Sequence, residues 1–125
     1  MSERPDPSSS ATLLALAATC LREDLRPKLE ARDRFLALIA ANAIDIVARE
    51  LRLAPGAEQR EVERLALLLE REGDRETLNL IFCDALAQGR LDETSPGVLD
   101  HLFALTMDRL EIDQPRYAAY RRELA

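Results

Sequence analysis

The stretch E-A-R-D-R-F-L-A-L-I-A-A-N-A-I-D-I-V-A-R-E-L-R-L, Glu30 to Leu53, decides the fold. Placed at 100° per residue, Phe35, Leu36, Ile39, Ala40, Ala43, Ile46, Val47 and Leu51 cover about half of a helix's circumference. Ala37, Ala41 and Ala48 widen that arc, leaving Arg34, Asp45 and Arg52 as a thin polar edge. A helix apolar over so wide an arc needs several neighbours. It is expected to be the central helix.

Turn signals divide the rest of the chain. Met1 to Ser9, with Pro5, Pro7 and a serine run, reads as a flexible tail. Ser10 is placed to cap a helix over Ala11–Leu25, with Leu14, Ala17, Ala18, Leu21 and Leu25 as its stripe and Pro27 as its break. Beyond the central helix, Ala54-Pro55-Gly56 reads as a turn. A helix over Ala57–Glu72 follows, ended by Gly73, and Asp74 caps another over Arg75–Gln88, ended by Gly89. Ser95-Pro96 starts a helix over Pro96–Leu110 that turns Leu99, Leu102, Phe103, Thr106 and Leu110 inward. After Asp113-Gln114-Pro115 a short helix over Arg116–Leu124 closes the chain. No strand-like alternation occurs, so the expectation is an all-α fold. Five to six helices form a compact bundle in one domain, residues 10–125.

Composition agrees and narrows function. The 125 residues are 47% apolar and 32% charged, with only six prolines and four glycines, the balance of a helical globular domain. The net charge of −6 opposes phosphate backbones and anionic membrane surfaces, and no basic cluster with interleaved aromatics offsets it. Neither nucleic acid nor membrane is an expected partner. The longest apolar runs, Leu13–Leu21 and Phe35–Ile44, fall well short of the ~20 residues that span a bilayer. The N-terminus lacks the basic start and apolar run of a secretory signal. Cys20 and Cys83 read as reduced core thiols, and the expected setting is the cytoplasm.

Catalytic signals are absent. His101, the only histidine, falls at the solvent edge of its helix near Asp108, and no metal-ligand spacing surrounds it. No glycine-rich phosphate loop exists, and the carboxylates mostly read as solvated helix faces. No catalytic, metal or cofactor-binding residue is assigned. Six residues stand out as candidates for a polar or interaction site: Asn42, Arg49, Glu50, Asp113, Tyr117 and Tyr120. Asn42 and Arg49 sit two turns apart at the margin of the core, where an unpartnered polar group costs about 1–3 kcal/mol. One reading gives Asn42 a loop carbonyl and Arg49 a carboxylate such as Asp113; the other has them line a ligand or partner cleft. Asp113 is also placed to cap the last helix. Tyr117 and Tyr120 share a face that either docks that helix or offers aromatic anchors to another subunit.

Two of these segments carry a resemblance. A-A-N-A-I-D-I-V-A-R-E-L-R-L (Ala40–Leu53) and L-E-I-D-Q-P-R-Y (Leu110–Tyr117) resemble a small bacterial family known only as a domain of unknown function, over about Leu13 to Tyr117. The resemblance implies short proteins encoded beside acyl-CoA dehydrogenases and aminoglycoside-phosphotransferase-like kinases, and it brings no catalytic residues. The first functional expectation is therefore a non-catalytic accessory or interaction module. It would self-associate, as a homodimer in the commonest case, or dock onto such a dehydrogenase or kinase. The alternative is a binder of an acyl or CoA-like ligand, with Asn42 and Arg49 as polar handles.

Overall fold

Ser9, not Ser10, opens the first helix: its hydroxyl accepts the backbone N–H of Thr12 at 3.2 Å while its own backbone stays extended. The computed structural model describes residues 9–125, so the expected tail lies outside it apart from this capping serine. Helix α1 spans Ser10–Thr19 and runs into a π-helical turn, Cys20–Leu25, then a 3-10 turn, Arg26–Lys28, where Pro27 stops it. Cys20 is exposed rather than buried, and Leu25, at the end of the π turn, is half-exposed.

Helix α2 spans Ala31–Leu69 and contains Pro55. The expected turn at Ala54-Pro55-Gly56 does not form, and the two helices read on either side of it are one. Proline in a helix interior removes one hydrogen bond and costs about 3 kcal/mol. The flanking Leu53, Ala54, Ala57 and Glu58 favour helix strongly enough to continue through it. The chain divides into two compact units at Ala54/Pro55.

In the first unit the buried residues are small: Ala18, Ala37, Ala41 and Ala48. Five large apolar side chains of α2 in this unit, Phe35, Leu36, Ile39, Val47 and Leu51, are 47–61% exposed, while Leu38, Ile44, Ile46 and Leu53 are half-buried. The arc that sequence marks as the contact face of this helix is thus the one left open here, and the alanines at its margin are the ones covered.

The second unit has a core of large residues. Leu65 from α2, Leu78 and Phe82 from α3 (Arg75–Ala87) and Val98 from α4 (Val98–Asp113) form its buried centre, with Val62, Leu68, Leu69, Leu86 and Leu91 packed against it. The stops and starts explain the turns. Helix α2 ends at Glu70, in the left-handed region with φ 52°, and the Arg71 N–H reaches back to the Ala66 carbonyl at 3.2 Å. That is a Schellman closure on a residue with a side chain; Gly73, the expected stop, lies three residues beyond it. Asp74 caps α3 as expected, accepting the Thr77 N–H at 2.8 Å. That hydrogen bond holds its carboxyl below the usual aspartate range. Gly89, with φ 73°, ends α3 in the same Schellman manner through Arg90 N–H to the Ala85 carbonyl.

Ser95 does not cap α4. Its hydroxyl instead accepts the Asp92 N–H at 3.0 Å in the preceding turn, and α4 starts two residues later than expected behind Gly97, with φ 86°. A Cβ at Gly97 would stand 2.8 Å from Leu68 Cδ2, so both the conformation and the space call for glycine. Helix α4 also turns the opposite face inward from the one expected. Val98, His101 and Ile112 are buried, while Leu99, Leu102, Phe103 and Thr106 are exposed. Helix α5, Ala118–Leu124, buries Tyr120. No strand occurs among the described residues, and the fold is all-α.

Candidate functional site

Two polar arrangements and one apolar face are the features able to do something. In the first unit, the π turn carries Arg22 toward α2. Its Nη2 donates to Asn42 Oδ1 at 2.9 Å and to Asp45 Oδ2 at 2.8 Å. Asn42 therefore meets an arginine rather than the loop carbonyl expected for it, and Asp45, read as a polar edge, is half of an ion pair. Arg22 carried no signal in the sequence; a long basic side chain 20 residues upstream is found only once the chain has folded back.

The second unit holds a polar cluster that sequence missed. Glu61, only 6% exposed, accepts from Arg75 Nε at 2.6 Å. That hydrogen bond and the carboxylate charge hold Arg75 still more firmly in its cationic form. One turn further along α2, Arg64 donates its Nε–H to Nδ1 of His101 at 3.0 Å. His101 is 1% exposed, with its ring edge-on to Phe82 at 5.1 Å between centroids. The expected surface histidine is a core residue. The physical reason is that α4 is apolar on more than one side, so the wheel alone does not select which face turns in. Arg64 and Phe82, both distant in sequence, make the buried position tolerable.

The chemistry of His101 follows from its partner. A guanidinium can only donate, so Nδ1 is unprotonated and the neutral ring carries its proton on Nε2. Burial first, and the Arg64 cation second, lower its pKa below the ordinary histidine value, with Glu61 opposing them. Nε2 and the Arg64 Nη2 are buried without a hydrogen-bond partner. An open depression lies elsewhere along α4, over Leu99, Asp100, Leu102, Phe103 and Thr106. A neutral histidine sealed between a guanidinium and a phenyl ring is built to hold helices together, and it presents no surface to a substrate.

The six sequence candidates divide between the units. Asn42, Arg49 and Glu50 lie on α2 in the first: Asn42 is bound by Arg22, Arg49 is half-buried and Glu50 is exposed. Asp113, Tyr117 and Tyr120 lie in the second. Asp113 is the last residue of α4 and takes Arg109 in two hydrogen bonds, 2.6 and 2.7 Å, one turn back. It does not cap α5, whose N-cap is Tyr117 with no side-chain bond. Tyr120 docks α5, and burial, with Glu111 and Asp108 nearby, raises its pKa. Tyr117, the N-cap of α5, is 52% exposed.

The third feature is the open face of α2, over Phe35, Leu36, Ile39, Val47 and Leu51. Five large apolar side chains half-exposed along one helix form the kind of continuous patch that soluble monomers seldom show. Among the described residues no helix is long and apolar enough to cross a membrane, and no three His, Cys, Asp or Glu side chains gather as a metal site.

A family model described as Domain of unknown function (DUF6285) matches residues 27–117, and the chain belongs to that family. The match takes in both segments that carry the resemblance and begins later than the Leu13 expected for it. No curated protein and no solved structure matches the chain.

Proposed function

We propose that this DUF6285 chain is a non-catalytic helical interaction module that docks through the open face of α2 in its first unit. The observation that supports this is the inversion there: alanines are covered while Phe35, Leu36, Ile39, Val47 and Leu51 stand half-exposed. Apolar area of that size contributes about 25 cal/mol per Å² when removed from water, so the face gains most by meeting another apolar surface. The partners that the resemblance implies are an acyl-CoA dehydrogenase or an aminoglycoside-phosphotransferase-like kinase of a bacterium; a second copy in a homodimer is the commonest alternative, and the proposed setting is the cytoplasm.

The ligand-binding alternative draws less support. Its polar handle Asn42 already has its carbonyl engaged by Arg22.

Co-purification tests the proposal. The tagged chain is expected to retain the purified dehydrogenase or kinase, or a second copy of itself, and to lose it on Ile39→Arg. A chain that stays alone against all three defeats the reading.

A further inference from the structure

The stripe on α2 is patterned for one particular occupant. Arg32, Leu36, Ile39, Ala43, Ile46 and Glu50 follow steps of four, three, four, three and four, the a/d spacing of a seam between two helices. A cation stands at one end of this seam and an anion at the other, with no charge on it between them. We infer that the open face is covered by a second copy of this chain, its α2 running antiparallel to the first, with Arg32 opposite Glu50 of the second copy. This rests on the docking reading above and names its partner.

The pattern reads the same from both ends. When Arg32 is set opposite Glu50, the same register places Leu36 opposite Ile46 and Ile39 opposite Ala43. Each is an a position against a d position, as antiparallel seams require. A parallel copy would instead bring Arg32 toward Arg32 and Glu50 toward Glu50, stacking like charges at both ends. The isologous arrangement is self-complementary in size as well as charge, since Ile39 meets the smaller Ala43 twice across the two-fold axis. The area is of the right order: the five large side chains alone leave roughly 500 Å² open, most of the ~800 Å² that each partner brings to a standard interface. Pairing two such units also brings four helices together, the number of a common bundle arrangement.

The test uses the full chain with Cys20 and Cys83 replaced by serine, which their exposure permits. Ala40 lies beside the axis, so Ala40→Cys is expected to give a disulfide-linked dimer on mild oxidation. Leu36→Cys is not, because its symmetry mate is about ten residues along the seam, roughly 15 Å away. Linking of Leu36→Cys and not of Ala40→Cys means a parallel pair and overturns the register; linking of neither overturns the second copy at this face. Charge exchange provides a readout independent of thiols. Arg32→Glu is expected to weaken dimerisation roughly tenfold, since two such pairs occur per dimer, and adding Glu50→Arg to restore it. Failure of the double variant to recover removes the pairing. If the chain is monomeric yet Ile39→Arg abolishes capture of a dehydrogenase or kinase, the docking function stands and the second copy does not. If Ile39→Arg changes neither, both fall.

Discussion

Arg64 and His101, 37 residues apart in sequence, meet at 3.0 Å, with the guanidinium Nε donating to the imidazole Nδ1. The bond fixes the histidine as neutral, and it ties the second half of α2 to α4 beside the Phe82 ring. The groups acting on the ring are Arg64 and Glu61 from α2, with Phe82 the neighbour from α3.

A pH dependence follows. The folded pKa of His101 lies below its unfolded value of about 6.5, so the unfolded chain binds the proton more readily. The stability associated with the neutral ring is fully present above pH 6.5 and is lost as pH falls from there through the folded pKa. Urea unfolding at a series of pH values is expected to show this decline, and His101→Gln to flatten it. An unchanged slope in His101→Gln would assign the decline to other groups.

Glu61 predicts an asymmetry. Arg75→Ala strands a nearly buried carboxylate and is expected to cost about 1–2 kcal/mol, because solvent around the half-exposed arginine already screens the pair. Arg75→Ala combined with Glu61→Gln is expected to recover part of that loss in denaturant melts. A double variant less stable than either single one contradicts this.

Backbone conformation makes two opposite predictions. Gly97→Ala forces a side chain into φ 86° and against Leu68 Cδ2, and is expected to destabilise by about 1–3 kcal/mol. Glu70→Gly relieves a left-handed non-glycine residue at a helix stop and is expected to stabilise by up to about 1 kcal/mol. Thermal unfolding of the two variants should move in opposite directions.

Pro55 sits within α2, so Pro55→Ala restores one helix hydrogen bond and removes a ring clash. The variant is expected to be more stable, by up to about 3 kcal/mol in denaturant unfolding. A loss of stability would show that the proline's local geometry is required.

The helical class and most of the elements were legible in the sequence because periodicity and caps are local. Asp74 and Gly89 act where their residue types indicate, and α3 buries Leu78, Phe82 and Ala85. What escaped depends on distant partners or on competition between signals. Pro55 spoke for a break that its flanks overrode. Gly73 and Ser95 were plausible stop and start residues, yet the chain used Glu70 and Gly97. His101 was misplaced because α4 has two apolar faces, and only the arrival of Arg64 and Phe82 chooses between them. Arg22 became the partner of Asn42 through a π turn that no residue pattern announces. The broad apolar arc of α2 marked it as a central, enclosed helix, yet most of that arc stands half-exposed in the first unit, because periodicity gives the width of an apolar face and not whether this chain covers it.

Light scattering of the full chain across a dilution series tests the central claim most directly. A mass about twice the 14.0 kDa of one chain is expected at high concentration, falling toward one chain on dilution, with Ile39→Arg at the mass of one chain throughout. A wild-type chain that holds the mass of one copy throughout would contradict it.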